Sequence, residues 1–188
     1  MKHALILFLV LTSSLSSLAC APAWTVVRQT SPDPFVGRPQ FSVEPLHFED
    51  VTVGEKSGVE YSAGKHAESR ESWRTDQEAM SERFTAGLAA EERGLQIGGP
   101  GTSNMVVRPV VTFVEPGFYA YVASQPTELA MSIQVLDVDG HLLDEIEIHS
   151  EIGATMINPS SGTRLRQAAE HLGKVAAKYL IGRVAPRG

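Results

Sequence analysis

The side chains of this 188-residue sequence able to do chemistry are six histidines, one cysteine and 22 acidic groups, so their spacing is the first question. The histidines stand at 3, 47, 66, 141, 149 and 171, with no HExxH pair and no second cysteine to complete a zinc site. His141 and His149 fall on one polar strand face, but at opposite ends of it. "DVDG" (residues 137–140) has the acids of a calcium loop, yet its glycine comes too early, and Ile148 stands where the bidentate Glu belongs. It reads instead as a hairpin turn. No G-x-S-x-G elbow occurs, and no spacing picks one serine out for a triad. The glycine-rich "GLQIGGPGTSN" (residues 94–104) lacks the Lys-Ser/Thr of a phosphate loop and reads as a connection. The pattern therefore assigns no catalytic residue, no metal ligand and no cofactor. Asp144 has a place of its own, because alternation puts it among apolar residues. It is either a buried acid with a raised pKa or, as we prefer, a residue that lies near the sheet rim or pairs with a basic side chain.

The remaining reactive group is the thiol of Cys20. Lys2 starts a stretch in which residues 4–11 are uninterrupted apolar sequence, followed by a serine-rich segment ending "SSLAC". Eight apolar residues are too few to span a bilayer, which takes about 20. They match the core of a secretory signal peptide, about 7–15 residues long. "SSLAC" resembles a bacterial lipobox, with Ala19 ahead of the cysteine to be acylated. Its leucine, Leu18, sits one place nearer the cysteine than the usual one. Ordinary cleavage after "APA" (residues 21–23), freeing Trp24, is the alternative. Lipidation is preferred because it also accounts for a lone thiol in an exported chain. The resemblance to sorted lipoproteins, with Ala21 after the cysteine, implies the outer membrane, facing periplasm or surface; a soluble secreted or periplasmic protein is the alternative.

These readings set the organisation: a signal peptide over 1–19, a lipidated N-terminus over 20–40 that is either a proline-punctuated tether or a loop packed on the domain through Trp24 and Phe35, and one domain over 41–188. Without residues 1–19 the chain has 15 basic and 22 acidic side chains, a net charge of −7. That balance argues against nucleic acid, whose phosphates call for clustered Lys and Arg. It also gives no electrostatic attraction to anionic lipid.

Within the domain, "FSVEPLHFEDVTV" (residues 41–53) reads as a strand, and residues 54–64 as a turn or weak second strand. Trp73, Met80, Phe84 and Leu88 recur on one face of a helix expected over 69–93, with Thr75 and Glu78 as a candidate capping box and Arg74–Glu78 as an i,i+4 pair. Residues 105–114 and 118–123 read as strands around an "EPG" turn. Asp139-Gly140 predicts a two-residue hairpin turn in which Val138 faces His141. Pairing outward puts Leu129, Met131, Ile133 and Val135 on one face with Asp144, Ile146 and Ile148, and Gln134, Ser132 and Ala130 opposite Glu145, Glu147 and His149. A last helix follows Pro159, with Leu165, Ala168, Ala169, Leu172, Val175, Ala176 and Tyr179 as its apolar stripe and Gly182 and Pro186 as its end. The fold class expected is α+β: an antiparallel sheet with two helices packed on one face.

"FVEPG", "ELAMSIQVLDVDGHLLDEIEI" and the closing helix resemble uncharacterised bacterial envelope lipoproteins of the DUF type, over about half the chain. The resemblance implies a small α+β domain that acts by contact, as in curli-pore and penicillin-binding-protein activator lipoproteins, and transfers no site residue. The function expected is a membrane-anchored binding or assembly module of the cell envelope, with the membrane and another envelope protein as partners. The alternatives are an envelope enzyme of hydrolase type, or a periplasmic carrier of an apolar ligand held behind Met131 and Ile133.

Overall fold

The computed structural model describes residues 23–90 and 94–185. Its strands are β1 (Trp24–Arg28), β2 (Gln40–Val43), β3 (Thr52–Val53), β4 (Lys56–Ser57), β5 (Gln96–Gly98), β6 (Val106–Glu115), β7 (Phe118–Ala120), β8 (Ala123–Gln125), β9 (Thr127–Leu136) and β10 (Leu142–Ile152). Its helices are α1 (Gly58–Ala63), α2 (Ala67–Ala90) and α3 (Ser161–Val184). The main sheet runs β1-β10-β9-β6-β2-β5, with β3 also on β6, while β7 and β8 form a separate hairpin.

The α+β class holds, but the sheet is mixed rather than antiparallel. β1, β10, β9 and β6 pair antiparallel, whereas β2 and β3 run parallel to β6 and β5 runs parallel to β2. Parallel neighbours require a crossover that carries the chain back to its starting end. α2 supplies it, since it lies between β2/β3 and β5/β6 in sequence. The strand expected over 41–53 follows β6 in three pieces: β2 on Val106 and Val107, a bridge from His47 to Val110, and β3 on Phe113 and Val114. Pro45, which has no backbone N–H to give, falls within the break.

The β9–β10 register is the one that alternation required. Val135 faces Asp144, Ile133 faces Ile146, Met131 faces Ile148 and Ala130 faces His149. The turn itself is one residue longer than expected. Asp137 N–H donates to His141 O at 3.0 Å and Gly140 N–H to Asp137 O at 3.1 Å, which leaves three residues in the loop. Gly140, at φ +81°, takes the left-handed position that such loops need. A bulge between Leu142 and Asp144 absorbs the extra residue and restores the register.

α3 packs on β9 and β10, and α2 packs mainly along α3. All four predicted residues of the α2 stripe and all seven of the α3 stripe are buried. The two helices meet at glycines. A Cβ on Gly87 of α2 would stand 2.1 Å from Glu170 O, and one on Gly173 of α3 would stand 2.2 Å from Phe84 O. Backbone thus lies against backbone, an approach that any side chain would prevent.

Other local expectations change. α2 starts at Ala67, too early for a Thr75–Glu78 capping box, although Arg74 does pair with Glu78 and also with Glu71. The capping box belongs to α1, where the Ser57 hydroxyl accepts from Glu60 N and the Glu60 carboxylate accepts from Ser57 N. A helix therefore occupies the place of the turn or weak strand expected around Val59. β5 lies within the connection expected over 94–104. Ser160 caps α3, which continues through Gly182 to Val184.

The tether expected over 20–40 is not free of the domain. Trp24–Arg28 is an edge strand on β10, Phe35 is buried among the core residues, and Gly37 N–H reaches Val184 O at 3.1 Å.

Candidate functional site

Cys20, the sequence-predicted lipidation site, lies outside the described residues. Asp144 is fully buried. It accepts from the Tyr179 hydroxyl at 2.5 Å, from Arg183 Nε at 2.7 Å, from Arg183 Nη2 at 3.3 Å and from Thr30 N–H at 2.8 Å. Arg183 also pairs with Asp33, donates to Thr30 O at 3.0 Å and lies 5.2 Å from the centre of the Phe35 ring. Asp144 is thus the partner of a basic side chain, the preferred reading. Both of its oxygens are occupied by donors from the protein. The chemistry of the cluster is to lock residues 30–35 against β10 and the end of α3. Burial, reinforced by Asp144, holds the Tyr179 phenol well above its ordinary pKa.

A second buried guanidinium has no carboxylate among its hydrogen-bond partners. Arg164, fully buried, donates Nε to Thr127 Oγ1 at 2.8 Å, Nη1 to Asn158 O at 3.0 Å and Pro159 O at 2.6 Å, and Nη2 to Pro116 O at 3.3 Å. Burial lowers its pKa. The sequence reading passed over both arginines, although a signal was present. Arg164, Ala168, Leu172, Val175, Tyr179 and Arg183 recur at steps of four, four, three, four and four, so the two cations end the buried stripe.

The histidines do not converge. His141 lies 3.0 Å from Asp137 at the β9–β10 turn, where Asp139 completes an exposed group. The Asp137 carboxyl is held below its usual range, first by the His141 backbone N–H. That bond and the one from Asp139 N–H to the same oxygen are the hydrogen bonds of a closed turn. His149 lies 3.7 Å from Glu128 on the polar side of β9 and β10. His47 bonds Glu44 at 2.9 Å, and Arg108 Nε holds the same carboxylate at 2.7 Å and keeps its pKa below the usual range.

Two of the surface hollows bear on the alternatives weighed above. One of about 760 Å³ is lined by Gly37, Arg38, Gln40, Thr102, Ser103 and Asn104, with Pro39 and Met105, and has no acid, histidine or cysteine. The hollow that reaches Met131 is about 440 Å³ and is walled in part by Thr25, Glu147 and His149, a polar setting for an apolar ligand. The surface left is the polar side of β9 and β10, with Glu128, Gln134, Glu145, Glu147 and His149.

No family model and no curated protein matches the chain. Among solved structures, PelC from Paraburkholderia phytofirmans, crystallised as a dodecamer, is similar at 16% identity and a TM-score of 0.43, over 87% of this chain and 99% of that one. A point variant of that PelC gives 17% and 0.40 over the same shares. A crystal structure of an uncharacterised protein gives 13% and 0.44, over 81% of this chain and 97% of that one. No residue role passes from these to the present chain. No described helix is long and apolar enough to cross a membrane.

Proposed function

We propose that this chain is exported, acylated at Cys20 and held on the bacterial outer membrane, where its α+β domain serves as a binding or assembly module for another envelope protein. One observation carries the reading. A charged start and an apolar run of signal-peptide length lead to Ala19 and the chain's only cysteine. A single acyl chain binds a bilayer marginally, so stable attachment takes the two or three chains of a mature lipoprotein. With α3 packed against β9 and β10 on their apolar side, the polar side of these strands is left for contact. Its acids suit a basic or hydrogen-bonding partner.

The test is Cys20→Ser in the native host. The expected outcome is transfer from the membrane to the soluble fraction with an unchanged circular dichroism spectrum. The mature N-terminal peptide of the unaltered protein is expected to begin at Cys20 and carry acyl mass. A mature protein that starts at Trp24 without fatty acid would replace this reading with that of a soluble secreted protein.

A further inference from the structure

Two segments without charge stand together at one end of the domain. Residues 116–127 and 152–163 contain no Asp, Glu, Lys or Arg, in a chain of which 20% is charged. At that frequency, 24 residues would carry about five charges. The segments are not buried instead. Phe118 is 49% exposed, Tyr121 91%, Val122 96%, Met156 68% and Ile157 94%. These are five of the ten large apolar side chains exposed among the described residues.

The topology places both at the same end. Residues 116–127 join the end of β6 to the start of β9, and residues 152–163 join the end of β10 to the start of α3. Their roots are tied together by Arg164, whose guanidinium takes the Pro116 carbonyl and the Thr127 hydroxyl of one and the Asn158 and Pro159 carbonyls of the other. A row of carboxylates marks where charge stops. Glu151 faces Glu128 and Glu128 faces Glu115 across three adjacent strands, each at the border of an uncharged segment.

The tip chemistry is unusual for a turn in water. Ala120 pairs with Ala123, so Tyr121 and Val122 form the two-residue turn of the β7–β8 hairpin, where Asn-Gly or Asp-Gly would be the ordinary choice. The Tyr119 and Tyr121 rings meet at a tilt of 57°, with centres 6.3 Å apart. A broken local rule at an exposed site points to function.

The N-terminal end of β1 lies on the same side. Trp24 faces Ile148, and β1 runs antiparallel to β10, so its N-terminal end points toward Ile152 and the uncharged segments. Three residues stand between Cys20 and Trp24, which limits the Cys20 Cα to about 14 Å from that of Trp24. We infer that the β7–β8 tip and the Met156–Ile157 loop enter the headgroup region of the bilayer that holds the Cys20 acyl chains, docking the domain in one orientation. Tyrosine belongs at that depth, with its ring toward the acyl chains and its hydroxyl in the wet layer. The inference rests on the Cys20 reading for its membrane. Because neither segment is charged, the contact is apolar and independent of anionic lipid.

Single cysteines at Val122, Ile157 and, at the opposite end, Val138 serve as sites for a polarity-sensitive thiol fluorophore in the full, lipidated chain reconstituted in phosphatidylcholine vesicles. All three positions are exposed, which keeps the fold out of the comparison. Intact mass reports on the anchor separately, since acyl mass is present if Cys20 is acylated and absent if it is not. In the second case the probes are read in the Cys20→Ser chain on the same vesicles. The expected result is a blue shift and quenching by brominated lipid at 122 and 157, with neither at 138. Probes at 122 and 157 that stay as wet as the one at 138 overturn the inference, whichever mass is found.

Discussion

Asp144, Tyr179 and Arg183 form a polar lock inside an apolar core. A carboxylate and a guanidinium are costly to bury unless each is paired and bonded, which is why Thr30, Asp33 and the Tyr179 hydroxyl gather around them. The phenol carries the pH consequence. Its folded pKa lies above the unfolded value of about 10, so the folded chain keeps a proton that the unfolded chain gives up. That part of the stability is therefore present below pH 10 and is lost as pH rises beyond it. Tyr179→Phe removes the proton in question. The expected outcome is a flatter fall of urea-unfolding stability above pH 10 in the variant than in the parent, and equal slopes would show that Tyr179 is not the group responsible. Arg164 solves its burial differently, with four protein acceptors and no acid.

The elements fit through small residues as much as through large ones. Gly87 and Gly173 let α2 and α3 touch along their backbones, and Phe84 and Leu88 fill the space beside them. Alanine would favour either helix by about 1 kcal/mol in isolation. Here it must push backbone off backbone, an overpacking cost of about 1–3 kcal/mol that leads to a net loss once the helices separate and the stripe is partly uncovered. Gly173→Ala is expected to lower the denaturation midpoint in urea with the m-value unchanged. A variant as stable as the parent would mean that the helices slide apart at no cost. The β9–β10 hairpin shows the opposite case, a turn tolerant of a one-residue change because a bulge corrects it.

At the scale of the whole molecule, the domain begins at its N-terminal edge strand rather than at residue 41. β1 lies on β10, Phe35 is in the core and Asp33 neutralises Arg183. Starting the chain at residue 41 would remove a buried Phe, itself about 3–5 kcal/mol, together with one side of the polar lock. Such a loss is comparable to the whole stability of many domains, about 5–15 kcal/mol. A chain of residues 23–188 is expected to melt cooperatively and one of residues 41–188 is not; equal melting curves would restore the view of residues 23–40 as a tether. This arrangement also bears on the anchor. With three residues between Cys20 and Trp24 instead of some twenty, an acylated chain would hold its sheet edge at the lipid surface rather than far from it.

The alternation of β9 and β10 and the stripes of α2 and α3 were legible in the residues themselves. Each is a local periodicity of two or 3.6 that puts apolar groups on one side, and a slip of one residue would turn the whole set toward water. Asp144 was legible as an exception to such a pattern. What no local pattern contains is the meeting of distant segments. The contact of Thr30 with Asp144 across a separation of 114 positions, the crossover that turns β2 and β3 parallel to β6, and the joining of two loop roots at Arg164 depend on which surfaces the folded chain has left to pair. Residues 24–35 read equally as a linker or as a loop held by Trp24 and Phe35, because their sequence has few signals of its own. They become part of the fold because an unpaired edge of β10 and a buried Arg183 are waiting in the tertiary structure to be satisfied.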